Sequence, residues 1–565
     1  MRVRHMPVGS VWIGALAGAL GLAGCGFNAD APPLPVVSLD VAPPPITGGT
    51  LAVSERIAVI GDADRDRVHV VALDSGARVA RIELSPGAEP GRVAFDPAGL
   101  AHVVLRGAGA ILTVDEMGGR ASTDVCLDPS GIDADPDGVR WVACRDGSVW
   151  RLDDGGARAI ARLEPGLRDV IALDGLLLVT HLRSARVHVL SREGAPIRTL
   201  VPPSANVAGL TYVPNTAARL RRRGDRAWLL YQRSRVGAEP APTDRYAGNL
   251  RGPCGESSVQ TVVSEVTPTR IADGAVLASG SLTVDVDADA SGSLALALAG
   301  EIGGWDAQRR RRVRRVGATG PCLQDAEPIA FDGQAVAVAI TSRGELVAFS
   351  REPAAVLVGG RMLDLGEPSR RDTGHDLFHV RREGVSCASC HTEGAEDGHL
   401  WTLGTSPARR TSTLRGGVAA TAPFHADADI ASLHEVMRRQ FPEEAELYLD
   451  AASVGAMARW LDALPARTRS LGGTRGAQVF EALGCVGCHA GALGTTPGLV
   501  EVGARRAAVP TLVELADRAP FLADGCAPTL EGVFDPRCGL GPEHTRVATL
   551  NDADRGALLE YLRSR

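Results

Sequence analysis

From about residue 52 to 362 the chain alternates apolar and polar positions in short runs. Examples are Arg67-Val68-His69-Val70-Val71, Val139-Arg140-Trp141-Val142-Ala143, Arg186-Val187-His188-Val189-Leu190, Leu282-Thr283-Val284-Asp285-Val286-Asp287 and Val336-Ala337-Val338-Ala339-Ile340. A period of two turns one face of each run toward a core and predicts strands. Turn signals recur between the runs, among them Asp135-Pro136-Asp137-Gly138, Asp153-Asp154-Gly155-Gly156 and Ser291-Gly292-Ser293. Groups of four strands in succession are what a β-propeller needs, and roughly 310 residues at about 40–45 per blade predict about seven blades. A tandem of β-sandwiches is the alternative use of the same strands. After residue 366 the period lengthens, and 433–439, 454–464, 476–483 and 552–562 read as helices, the last with Asn551 as N-cap. The expected fold class is therefore multidomain. An all-β propeller over 52–365 is followed by two mainly α modules, 366–466 and 467–565.

Those two modules read as copies of one unit. Cys387-Ala388-Ser389-Cys390-His391 returns as Cys485-Val486-Gly487-Cys488-His489 at an offset of 98, and Thr413-Leu414 returns as Thr511-Leu512 at the same offset. Ala422-Pro423-Phe424 matches Ala519-Pro520-Phe521, and Leu433 matches Leu530, both at 97. Each copy closes on a helix with an aromatic residue, Trp460 or Tyr561.

Cys-x-x-Cys-His is the attachment signature of a c-type haem. Thiols one helical turn apart reach the two vinyl groups of one porphyrin edge, and the adjacent imidazole becomes the proximal iron ligand. Two covalently bound haem c groups are thus expected, on Cys387 and Cys390 with His391, and on Cys485 and Cys488 with His489. A redox dithiol would expect a βαβ context, and a zinc site would expect Cys pairs much closer together. The sixth ligand decides between electron transfer and ligand chemistry. For the first haem the candidates are His399, His425, His434, Met437 and Met457. For the second, no Met occurs after Met457 and His544 is the sole later His.

The N-terminus carries Arg2 and Arg4, then an apolar run over 11–22 ending in Leu22-Ala23-Gly24-Cys25. That run is shorter than the about 20 residues needed to span a bilayer. The ending resembles the lipobox of bacterial lipoproteins. The resemblance implies a signal peptide over 1–25, lipidation of Cys25, and a place on the periplasmic side of the envelope, with Gly26 favouring the outer membrane. An ordinary cleaved signal is the alternative. The Pro-rich stretch 26–51 then reads as a linker.

Cysteine usage agrees with an exported protein. Of 11 Cys, one lies in the lipobox and four in the motifs. The remaining six suit an oxidising compartment, with Cys126–Cys144, Cys254–Cys322 and Cys526–Cys538 suggested by proximity. At 565 residues the chain exceeds one core. A net charge of −7 gives no basic stripe for nucleic acid. Every basic residue of the 60 is Arg; clusters at 221–226 and 309–315 are docking patches or solvated loops.

The order Cys387 to His391, Gly398-His399-Leu400-Trp401, Thr411-Ser412-Thr413-Leu414 and Ala422-Pro423-Phe424-His425 resembles bacterial di-haem cytochrome c peroxidases and their methylamine-utilisation relatives, over about 370–565. The preceding region, with segments such as Val93-Ala94-Phe95-Asp96-Pro97, resembles surface-layer-type propellers. The resemblance implies a peroxidatic first haem with a labile distal His, carried over to His399. It also implies hydrogen peroxide as oxidant and a small redox protein as donor. The second module departs from the family, lacking the usual Met ligand, and Glu443 and Glu444 are not placed to match the distal Glu. The functional expectation is electron transfer outside the cytoplasm, with peroxide reduction at the first haem as the enzymatic option. A propeller-based docking protein with accessory haems is the third reading.

Overall fold

The computed structural model describes residues 35–565 except 208, 240–256, 278–281, 301–310, 317–326, 332, 381–384, 404–406, 425–427, 441–448, 468–472, 503–504 and 539–540. Cys25 and the signal segment, Cys254, Cys322, His425, Glu443 and Glu444 lie outside the described residues. Residues 36–565 form one compact unit.

The alternating runs do form antiparallel sheets, arranged as a propeller. Six are four-stranded, beginning with strands Leu51–Val53, Pro90–Phe95, Pro129–Ala134, Leu167–Leu173, Thr283–Ala288 and Ala335–Ile340. Inner strands such as Ile57–Asp62 and Ala101–Leu105 are buried throughout, because neighbouring blades cover both faces. Fourth strands such as Arg120–Asp124 and Pro196–Leu200 are almost wholly exposed. Gly131 sits where inner strands approach: a Cβ there would lie 2.5 Å from the Asp169 Cα. Leu51 and Ala58 of the first blade share one apolar cluster with Val336, Val338 and Phe349 of the last, which closes the ring.

The expectation of about seven like blades is corrected to six. The segment 205–277 builds a five-stranded sheet of different form, around the long strands Leu210–Arg223 and Arg226–Arg235. Its period-two pattern looks the same in sequence, yet register shifts at Pro214/Thr216 and Ala217/Arg219 bend one continuous strand where a regular blade would turn.

The expectation of two mainly α modules is also overturned. The helices of this half are short: α1 Thr373–His379, α2 Cys387–Cys390, α3 Leu433–Gln440, α4 Ala451–Asp462, α5 Arg475–Ala482, α6 Gly541–Thr545 and α7 Asp552–Arg563. Between them run 3₁₀ turns, small hairpins and extended chain. Apolar spacing over one or two turns marked helices correctly in places, but the intervening Gly- and Pro-rich loops are held by tertiary contacts instead of helical periodicity.

The duplication persists in three dimensions. Helix α1 crosses α4 and α5 crosses α7, each at a glycine. A Cβ on Gly374 would lie 2.5 Å from Ala456 O and from the Trp460 Cβ; one on Gly476 would lie 2.1 Å from Ala557 O and 2.6 Å from the Tyr561 Cβ. One turn later each first helix places a Phe against that aromatic, Phe378 on Trp460 at 4.9 Å and Phe480 on Tyr561 at 5.4 Å between ring centroids. Phe424 then bridges to Ile430, as Phe521 does to Ala527.

Residues 36–50, expected within the linker, pack into this unit. The Val37 N–H donates to Thr373 Oγ1 at 2.9 Å, the Ile46 N–H to His379 Nε2 at 3.1 Å, and the Trp460 Nε1–H to Pro43 O at 3.0 Å. The disulfides Cys126–Cys144 and Cys526–Cys538 are formed. Among the described residues no helix is long and apolar enough to cross a membrane.

Candidate haem-attachment sites and their seat on the propeller

Each Cys-x-x-Cys-His motif is wound into a single turn. Ser386 starts the first: its N–H donates to Ser389 Oγ at 3.2 Å, and the two hydroxyls lie 3.1 Å apart. The His391 N–H then donates to Cys387 O at 2.8 Å. In the second motif Gly484, at φ +77, lets the chain turn sharply out of α5, and the His489 N–H donates to Cys485 O at 2.9 Å. Residues three apart on one turn share a face, so both thiols of a motif address one side. All four are partly exposed thiols.

The histidines are held in one tautomer. His391 Nδ1 lies 3.0 Å from Ser412 O and His489 Nδ1 lies 2.9 Å from Gly494 O. A carbonyl only accepts, so Nδ1 carries the proton in each ring and Nε2 keeps the lone pair. Burial lowers both pKa values and outweighs the hydrogen bonds to carbonyls that favour protonation. A neutral imidazole oriented through Nδ1 is the form that ligates a metal. The residues present therefore fit a covalently attached haem at either motif.

The distal candidates are placed very differently. His544, on α6, sits with its ring centroid 6.4 Å from that of His489, the ring planes at 78°. His399 is buried, with Nε2 donating to Arg235 O of the propeller at 3.0 Å and its ring edge-on to Trp401. Asp397 organises that corner, accepting from the His399 N–H, the Thr411 hydroxyl and the Trp401 Nε1–H. Burial pushes Asp397 up to about 6. Met437 and Met457 lie in the apolar cluster on which Cys387 packs, whereas His434 is exposed.

Sequence reasoning missed the contacts that seat the motifs. Arg106, Arg145, Arg183 and Arg351 each follow the second strand of a blade, and they turn toward the C-terminal segment. Arg106 meets Glu393 at 2.7 Å, where Arg168 also pairs with it. Arg145 meets Glu514 at 2.8 Å and Asp517 at 2.6 Å; Arg183 also meets Asp517 at 2.6 Å. Arg467 returns from the C-terminal segment to Asp128 at 2.8 Å. The recurrence of Arg after Leu105, Cys144, Leu182 and Ser350 was a legible signal. Two further histidines, His375 and His379, stack at 4.1 Å in full burial, which holds both well below the usual histidine range.

Burial alone would raise the pKa of these carboxylates, but the guanidiniums beside them outweigh it. Glu393, Glu514 and Asp517 are held below their usual range, and Asp128 falls to about 2. A depressed carboxylate contributes stability that is present above its unfolded pKa and is lost as pH falls through the folded one. The share of the urea midpoint due to these carboxylates is therefore expected to hold above about pH 5 and to be lost steeply between about pH 4 and 2, given unfolded values near 4. That loss comes on top of a decline below about pH 6.5 from the buried neutral His375 and His379. Asp397 runs the opposite way, its contribution being lost as pH rises through about 6. A flat profile from pH 5 to 2.5 would contradict the depressed set.

Among the described residues no group of three or more His, Cys, Asp or Glu is arranged to hold a metal ion. No family model matches the chain, and no curated protein matches it either. Among solved structures, Kuenenia stuttgartiensis hydrazine synthase is similar at 13% identity over 60% of this chain and 99% of that one, with a TM-score of 0.42. A streptogramin B lyase is similar at 12% identity over 55% and 92%, TM-score 0.36. The virginiamycin B lyase of Staphylococcus aureus is similar at 14% identity over 56% and 94%, TM-score 0.37. Likenesses this weak carry no functional meaning, and the propeller architecture rests on the order of this chain's own sheets.

Proposed function

We propose that the chain is a di-haem c-type cytochrome that passes electrons outside the cytoplasm. One haem would be attached at Cys387 and Cys390 with His391 as iron ligand, the other at Cys485 and Cys488 with His489. The observation that carries this is the twice-built arrangement of two thiols on one turn, followed by an imidazole whose Nδ1–H is tied to a backbone carbonyl. Bound there, haem iron supplies one-electron chemistry.

The protein's part is to hold each imidazole in its ligating tautomer and to fix the motifs on a rigid base through buried Arg–carboxylate pairs. Val486, inside the second motif, is 43% exposed. An apolar side chain open to solvent beside the attachment cysteines suits brief contact with a small redox protein. Lipidation at Cys25 would keep the protein at the periplasmic side of the envelope.

The test is the mass and the pyridine haemochrome spectrum of protein made with a haem-attachment system. Two haem equivalents per chain are expected. Replacing Cys387 and Cys390 by Ala should remove one, and replacing Cys485 and Cys488 should remove the other. Wild-type protein without covalent haem would sink the proposal.

A further inference from the structure

We infer that His544 is the second axial ligand of the haem on Cys485 and Cys488, so that His489 and His544 grip one iron from opposite faces. The inference rests on the haem reading above. An iron bound by two imidazole nitrogens at about 2.0 Å each, with ring centres about 1.1 Å behind the nitrogens, separates the centroids by about 6.2 Å. The observed separation is 6.4 Å.

An edge-to-face ring contact spans the same range of distance, so the surroundings must decide. His489 is held through Nδ1 by Gly494 O, which leaves Nε2 as its ligating nitrogen. The loop that carries His544 is also held. The Cys526–Cys538 disulfide precedes α6, and the 3₁₀ turn Arg546–Thr549 follows it. Cys485, Cys538 and Val547 pack on one apolar cluster with Phe480, Phe521 and Leu558. Motif and His544 loop therefore share a core, which keeps the ring separation from depending on a mobile surface contact. A histidine here departs from the Met ligand that the peroxidase resemblance implies for the second haem. Two imidazoles give a low-spin iron of lower potential than a His/Met pair.

The experiment uses full-length holo-protein, with haem count by mass alongside EPR, visible spectra and a redox titration. In His544→Ala the count should stay at two while one haem changes from low-spin to high-spin, and added imidazole should restore it. In His544→Met that haem should gain a sulfur-to-iron charge-transfer band and a higher midpoint potential. If both variants keep two haems and the wild-type spectra, the assignment of His544 is overturned while the di-haem reading stands. If wild-type protein carries no haem on the peptide with Cys485 and Cys488, that reading fails and this inference with it.

Discussion

Replacing Glu393 by Gln is expected to cost about 3–5 kcal/mol of stability, the range for removing one partner of a buried ion pair. Glu393 is only 5% exposed and lies between Arg106 and Arg168, themselves buried. The glutamine would keep the shape and some hydrogen bonding. It would remove the carboxylate paired with Arg168 and leave Arg106 only Asp128 at 3.3 Å, so the desolvation of the two guanidiniums would no longer be offset. Urea unfolding with a propeller probe, Trp141, and a C-terminal probe, Trp460, should show both transitions moving to lower urea. Glu435→Gln is the control: Glu435 pairs with Arg438 and Arg439 at 2.8 and 3.0 Å on the exposed face of α3, where water screens the charge, so little should change. Equal midpoints for Glu393→Gln and Glu435→Gln would show that the buried pairs do not hold the C-terminal segment to the propeller.

Gly476→Ala is expected to be the most damaging single-methyl change in the second module. The new Cβ would lie 2.1 Å from Ala557 O, a backbone atom that cannot step aside without separating α5 from α7. Overpacking costs about 1–3 kcal/mol and occasionally more, and contact with backbone favours the upper end. The gain in helix propensity, about 1 kcal/mol, does not offset it. Gly556→Ala within α7 meets nothing within 4 Å, so there the propensity gain should appear unopposed and raise stability. Opposite signs for two glycine-to-alanine changes on crossing helices are thus expected in thermal or urea unfolding. A stabilising effect at both positions would show that the helices do not cross as closely as Gly476 requires.

The parts of this protein legible in its sequence are those set by neighbours along the chain. The period-two runs became strands because alternation is a local property of extended backbone. The Cys-x-x-Cys-His spacing commits two thiols and an imidazole to one turn wherever that turn is placed. The duplication at offsets of 97 and 98 survives as paired helix crossings, since Gly374 and Gly476, with Trp460 and Tyr561, repeat the same steric demand. The four helices read from apolar spacing do form, as Leu433–Gln440, Ala451–Asp462, Arg475–Ala482 and Asp552–Arg563, but they are short and separated by loops, so the reading of two mainly α modules was too helical.

Tertiary structure decided everything that depends on residues far apart meeting. Whether 205–277 made an ordinary blade turned on bulges in one long strand pair, which leave no mark in the alternation. Residues 36–50 looked like a linker by composition, yet Thr373, His379 and Trp460 offered their backbone groups partners that water would otherwise have supplied. His399 was a candidate for the first haem and His544 for the second. Packing carried His399 to Arg235 on the propeller and His544 to within 6.4 Å of His489. Local covalent spacing therefore placed two thiols and an imidazole together on each turn, while burial and long-range pairing determined which side chains lie near them.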